Sequence, residues 1–254
     1  MSRTAVYSAL VLRNRPSGES NSEITLLTGE EGLVRATVFG GPKNRLRAHC
    51  APYNSGKAWI YRDKSKEYAK LSDFDVQFWR AGLRELYERT MAAGAVAETI
   101  LSTHGGGGEW EAALKIAAQT LDALENANEE LCSRLLVHFL WRWTHLLGIQ
   151  PLLECGSCGG NSEGAFWYNI RENSALCASC LQGMRDQAAP TAGAGEIQIN
   201  PGCRRWLSAA GTLEPSLLHR FSMDNKSLSE AKALTTAVLA GALGKRLPSW
   251  DWQL

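Results

Sequence analysis

Most of the signatures by which enzymes are recognised are missing from this chain of 254 residues. The glycine run after His104 reads as a flexible interhelical connection and not as the oxyanion loop of a hydrolase. Neither a phosphate-binding G-x-x-x-x-G-K-S/T loop nor a G-x-G-x-x-G after a strand is present, which argues against nucleotide hydrolysis and dinucleotide redox chemistry. The five histidines, His49, His104, His138, His145 and His219, never combine with a carboxylate at metal-binding spacing. A deaminase would need a metal-binding His or Cys two residues before a Glu, upstream of Pro-Cys-x-x-Cys, and that too is absent. No internal repeat is visible. No stretch approaches the ~18 uncharged apolar residues of a membrane span, and the first fifteen residues carry no signal-like apolar core. A cytoplasmic protein without membrane contact is the expectation.

Against these absences stand four cysteines, Cys155, Cys158, Cys177 and Cys180, arranged as two C-x-x-C pairs with eighteen residues between them. That spacing suits a closed tetrahedral zinc site. Gly156 and the Gly159-Gly160 doublet allow the backbone to turn so that two thiolates converge on one ion. Four thiolates leave no position for water, so the expected metal is one structural zinc per chain. Two disulfides or a redox C-x-x-C are the alternatives. Cys50, Cys132 and Cys203 have no motif around them and read as buried small hydrophobes.

Net charge is +1, yet residues 1–80 hold 13 Lys and Arg against 8 Asp and Glu, and residues 81–254 hold 14 against 18. Such a split hints at a polyanion-binding module joined to a different one. Within the basic part, residues 5–13, 23–28, 32–39, 56–61 and 69–78 are short β-branched or aromatic runs separated by Gly and Pro turns. Five strands in about 80 residues predict a small closed barrel of the OB type.

Helical periodicity takes over at about residue 81, over 84–100, 109–127 and 130–147, with Gly148 as C-cap and Pro151 as exit. Residues 165–169 suit a hairpin strand with its turn at 172–174. A low-complexity connector over 187–195 follows, and helices return at 201–210 and 229–243, the last opened by a capping-box spacing of Ser227 and Glu230. The expected class is therefore α+β: an N-terminal five-stranded OB-type barrel followed by an α-helical domain with an inserted zinc-binding element. The divisions expected are 1–80 for the DNA-binding barrel, 81–153 for the first helical part, 154–186 for the four-cysteine element and 187–254 for the helical completion.

In Pro42-Lys43-Asn44-Arg45-Leu46-Arg47 three cations fall within five residues. On a mobile loop beside a barrel, Lys43, Arg45 and Arg47 can follow a phosphate backbone, and Arg13, Arg15 and Arg35 can extend that surface. Tyr53, Trp59 and Tyr61 are expected to fill the barrel, with base stacking as the alternative.

These elements in this order resemble the bacterial recombination mediator family RecO. The resemblance rests on Ala9-Leu-Val-Leu-Arg13, Gly18-Glu19-Ser20, Ile24-Thr-Leu-Leu-Thr28, Glu31-Gly32-Leu33-Val34 and residues 42–47. It continues with Leu146-Leu147-Gly148, Pro151 shortly before the cysteines, and Leu243-Gly244-Lys245-Arg246-Leu247. It implies a non-enzymatic protein, located in the cytoplasm with the nucleoid, that binds single- and double-stranded DNA and promotes annealing. With RecR, it implies loading of RecA on strands covered by single-strand-binding protein. Lys43, Arg45 and Arg47, then Arg13 and Arg35, are the residues expected at DNA. A zinc-containing adaptor acting mainly through protein contacts is the other reading; salt-dependent DNA binding separates the two.

Overall fold

The computed structural model describes residues 4–41, 44–63, 68–160, 164–187 and 196–251. It divides into two compact units, Met1–Cys132 and Ser133–Leu254. In the first, strands β1 (Thr4–Ser17), β2 (Asn21–Thr28), β3 (Gly32–Val38), β4 (Ser55–Asp63) and β5 (Tyr68–Phe78) close a barrel in the order β1-β2-β3-β5-β4. Four of its five junctions are antiparallel, and β3 meets β5 in parallel at Thr37 and Lys70.

Alternation decides which side chains enter. Tyr7, Ala9 and Val11 of β1, Ile24 and Leu26 of β2, and Val34, Ala36 and Val38 of β3 share the core with Ile60 and Phe74, as the two-residue period of a strand requires. Trp59 and Tyr61 fall on the opposite parity to Ala58 and Ile60 and are only half-buried. The barrel is filled by Tyr7 and Phe74, so the expectation that Tyr53, Trp59 and Tyr61 fill it is not met: a small barrel takes one parity of each strand, and these rings lie on the other or in a loop. Three register shifts bend the wall, one between Val11 and Arg13 and two where β4 pairs with β5, at Ser55/Gly56 and at Trp59/Ile60. A Cβ at Gly56 would lie 1.9 Å from the Asp75 carbonyl oxygen, so only glycine permits that approach.

Between β3 and β4, the short helix α1 (Arg45–His49) occupies the segment expected to be a mobile loop. Asn44 caps it, its side-chain oxygen accepting from the Leu46 amide at 2.9 Å, and Leu46 packs on the barrel core. Lys43 and Pro42 lie outside the described residues.

Helices α2 (Tyr87–Ser102) and α3 (Trp110–Glu125) complete the first unit, α3 packing on β1 and β2. Arg80 fastens this junction. Its side chain is 1% exposed, its Nε donates to Asp122 at 2.7 Å, and its Nη1 donates to the Tyr53 carbonyl and to Ser55 Oγ. His104 and Gly105 through Gly108 all hold positive φ. Gly105 is buried, with its Cβ position 3.2 Å from Leu33 Cγ, so the run expected to be flexible is a packed turn lying on the barrel.

Helix α4 (Glu129–Leu146) leads into the second unit and ends as expected: Gly148 has φ 68°, and the amides of Gly148 and Ile149 return to the carbonyls of His145 and Thr144. There β6 (Phe166–Asn169) pairs with β7 (Ser174–Cys177) across the expected turn, and with β8 (Glu196–Ile199), a strand the low-complexity connector concealed. Helices α5 (Ala178–Gln187), α6 (Pro201–Ala210) and α7 (Asn225–Leu243) complete it. Helix α7 starts one turn earlier than its sequence pattern suggests. Asp224 is the cap, accepting from the Ser227 amide at 2.9 Å, while Glu230 accepts from the Asn200 amide at the head of α6. Among the described residues, no helix is long and apolar enough to cross a membrane.

Candidate functional sites at the cysteine cluster and the barrel wall

Each cysteine is brought to the cluster by local geometry. Cys155 sits in an isolated parallel bridge to Ala175, with Gly156 donating to the Ala175 carbonyl at 2.8 Å. The chain then turns through Gly159, whose amide returns to the Cys155 carbonyl. Cys177 closes β7 and Cys180 lies in the first turn of α5. All four Sγ atoms lie within 4.8 Å of one another, and those of Cys158 and Cys177 are 4.0 Å apart. That is close to the ~3.8 Å edge of a tetrahedron with 2.3 Å metal–sulfur bonds, and well beyond the ~2.05 Å of a disulfide. These four cysteines are close enough together to bind a metal ion.

Hydrogen bonds prepare the cluster for that task. The Cys177 amide donates to Cys155 Sγ and the Gly160 amide to Cys158 Sγ, each at 3.4 Å. Burial pushes the Cys155 thiol up, but amide donors from Cys177, Cys158 and Ser157 outweigh it and bring its pKa down to about 6. At Cys180, contact with Ser157 favours the thiolate and its neighbours Cys177, Cys158 and Cys155 oppose it, leaving its pKa pushed up to about 12. Four thiolates packed together repel, and a bound cation relieves that repulsion. The remaining cysteines behave as packing groups: Cys50, Cys132 and Cys203 are fully buried, and burial raises each thiol, Cys50 to about 12 and Cys132 to about 11.

Sequence reasoning missed the residue that fastens this element. Arg204 of α6 reaches back with Nη1 to the Gly164 carbonyl and Nη2 to the Leu153 carbonyl, at 3.3 and 3.1 Å, and its guanidinium lies 3.6 Å from the centroid of the Phe166 ring. The interaction spans some fifty residues, so no local pattern announces it.

On the barrel, strand pairing unites residues distant in sequence. Arg13 pairs with Thr25, and Thr25 with Arg35. These three share one row of the outer wall, with the arginines two strand spacings, about 10 Å, apart. The next row runs from Arg15 through Glu23 and Thr37 to Lys70. Arg35 and Arg15 are exposed and Arg13 is half-buried. Sequence reasoning missed Lys70 because its strand neighbour, Thr37, is a parallel partner thirty-three residues earlier. Arg45 is exposed on α1 and Arg47 half-buried. Arg45 Nε donates to His49 Nε2 at 3.4 Å, and His49 Nδ1 bonds the Phe74 carbonyl at 2.8 Å, so the imidazole is the tautomer protonated on Nδ1. The first unit thus carries Arg13, Arg15, Arg35 and Lys70 in two adjacent cross-strand rows, the second of which also holds Glu23, and carries Arg45 and Arg47 on α1.

Two family models account for most of the chain. Recombination protein O N terminal matches residues 1–77, and Recombination protein O C terminal matches residues 84–251. The chain belongs to the RecO family. Similar RecO proteins include the DNA repair protein RecO of Anaeromyxobacter dehalogenans, 28% identical over 96% of this chain and 93% of the relative. The RecO of Bacillus subtilis is 26% identical over 88% of this chain and 83% of its own length. That of Pelotomaculum thermopropionicum is 27% identical over 68% of this chain and 67% of its length. Seen beside these RecO relatives, the N-terminal family segment coincides with the barrel, and the C-terminal one holds α2 to α7 together with the cysteine cluster.

Proposed function

We propose that this protein is a DNA-binding recombination mediator acting in DNA repair, without catalytic chemistry of its own. Membership in the RecO family, with relatives named as DNA repair proteins, supports the repair role. The observation that carries DNA binding is the pair of adjacent cross-strand rows on the outer barrel wall, which places Arg13 and Arg15 of β1, Arg35 of β3 and Lys70 of β5 on one stretch of the sheet.

Complementary strands repel through their phosphates. A cationic wall that releases counterions from each lowers that repulsion and holds strands near enough to pair. Single- and double-stranded DNA are both ligands on this reading, because the phosphate term is insensitive to base pairing. Residues 1–80 form the DNA-binding module, in which Lys43, Arg45 and Arg47 supply further cations for phosphate. RecR and single-strand-binding protein are the proposed protein partners, and RecA loading the outcome, in the cytoplasm beside the nucleoid.

The four cysteines are proposed to hold one Zn²⁺. An ion bound by four thiolates supplies cross-linking and no open coordination position, so its contribution is to the fold. Cys155 and Cys158, which precede β6, would thereby be tied to Cys177 and Cys180 after it, while Arg204 clamps the same element from α6.

The test is the salt dependence of binding to a fluorescent oligonucleotide. Changing Arg13, Arg35, Arg45 and Arg47 to Ala is expected to weaken binding and to reduce the slope of log K against log salt by roughly 1 for each phosphate no longer neutralised. An unchanged slope refutes the assignment of these arginines.

A further inference from the structure

The cations on the outer wall explain attraction to any phosphate backbone, but beside them lies a feature that phosphate binding leaves unused. A cleft of about 600 Å³ opens between α1 and β5, lined by Phe39, Arg45, His49, Lys70, Asp73 and Asp75. Its volume is in the range of small-ligand sites. We infer that this cleft receives an unpaired base of a single DNA strand, stacked on Phe39, an inference that rests on the DNA-binding reading above.

Three observations converge on a base as the occupant. The first is the ring itself. Phe39, just past the end of β3, is 40% exposed, so part of the ring stands open to solvent. Tyr68 leans against it with centroids 6.0 Å apart, and Lys70 Nζ stands 5.5 Å from its centroid. Single-strand binders combine an aromatic face on which a base stacks with cations that follow the adjoining phosphate; here Lys70 covers one face of the ring, and the base takes the other.

The second is the distribution of charge. Arg45 of α1 and Lys70 near the start of β5 are cations of the lining, and Arg47 lies on the same short helix, whereas Asp73 and Asp75 bring carboxylates farther along β5. Carboxylates repel phosphate, so the backbone stays with the cations and only the uncharged base enters. A site for free phosphate or for duplex backbone would not place two aspartates there.

The third is rigidity. Asn44 caps α1 through its oxygen, and with its nitrogen it donates to the Phe39 carbonyl at 2.6 Å. One side chain therefore fixes both the turn that bears the ring and the helix that bears Arg45. His49 accepts from Arg45 and is held by the Phe74 carbonyl, while the ring of Trp79, itself 48% exposed, meets the imidazole edge-on with centroids 5.3 Å apart. The site is organised before the strand arrives, which limits the ordering cost of binding.

The experiment compares three labelled probes: an oligothymidylate, an abasic strand of the same length and a duplex of the same length. Each is titrated against the full chain and against Phe39→Leu, which keeps apolar bulk and removes the aromatic face. Phe39→Leu is expected to weaken oligothymidylate binding by roughly tenfold, the effect of one stacked base. The abasic strand, the duplex and the salt slope are expected to be unchanged, and Phe39→Trp to restore the affinity. Equal binding of oligothymidylate by both proteins, or an equal loss on the abasic strand, overturns the inference while leaving the phosphate-binding reading standing. Failure of the unaltered chain to bind any probe removes both. A strand carrying photoreactive iodouracil needs no variant: cross-linking to the peptide that bears Phe39 supports the site, and cross-links confined to other segments overturn it.

Discussion

Arg80 concentrates at one position what the barrel junction requires. It holds an unusual left-handed backbone, φ 42°, while its guanidinium is removed from water and shared among Asp122, the Tyr53 carbonyl and Ser55 Oγ. Asp122 stays half-exposed and can be rehydrated, so the loss on truncation falls on the buried acceptors. Arg80→Ala is expected to destabilise the first unit by about 2–3 kcal/mol, read as a shift in urea midpoint. A loss below about 0.5 kcal/mol, the level of an ordinary surface substitution, would show that the junction is held by apolar packing alone.

His138 gives the same scale a pH dependence. Burial drives its pKa down to about 4, against the partial compensation of a hydrogen bond to the Leu213 carbonyl. In the unfolded chain the imidazole takes up a proton below about pH 6.5, whereas in the fold it stays neutral. The contribution is therefore complete above about pH 6.5 and is lost as the pH falls toward 4. Between about pH 7 and pH 5 the expected loss is about 2 kcal/mol. Denaturation at both pH values checks it, and His138→Leu should abolish that part of the difference.

At the scale of elements, the cysteine module and α1 are both short pieces that need outside support. Strands β6, β7 and β8 have four residues each, too few to stand without packing or a cross-link. Fresh protein is expected to contain about one equivalent of zinc by atomic absorption, and less than half an equivalent would refute the site. Removing the metal with a chelator, or replacing Cys177 by Ser, is expected to lower the thermal midpoint and the solubility before it alters DNA affinity, because metal binding and folding are coupled in such modules. A variant that keeps its midpoint and loses DNA binding would reverse that order. Helix α1 shows why its segment resembles a loop in the sequence. Five residues give too few periods for a helical signal, and its stability comes from the Asn44 cap and from Leu46, half-buried against the barrel.

Across the whole molecule, function is distributed over surfaces that the fold assembles. The predicted flattening of the salt slope belongs here, since it depends on the sum of Arg13, Arg35, Arg45 and Arg47 and not on any one of them. Strand count, barrel closure, the α4 terminus and the cysteine pairing were all legible, because each rests on a local rule: two-residue alternation, turn residues, a glycine cap, a spaced motif. Strand β8 and the α5 helix were not. The first lies beyond a connector with no periodicity, and the second follows directly on a cysteine whose spacing points to metal and masks the helical pattern.

By itself the sequence determined a basic barrel module, a helical remainder and four cysteines placed to meet, since these depend on residue type and short-range spacing. Only the tertiary structure decided that Trp59 and Tyr61 face outward, that Arg13, Arg35 and Lys70 lie in adjacent rows of one wall, and that Phe39 flanks a cleft beside α1. The reason is physical. Barrel closure and a one-residue bulge after Val11 set which parity of each strand points inward, and pairing between residues tens of positions apart decides which cations become neighbours.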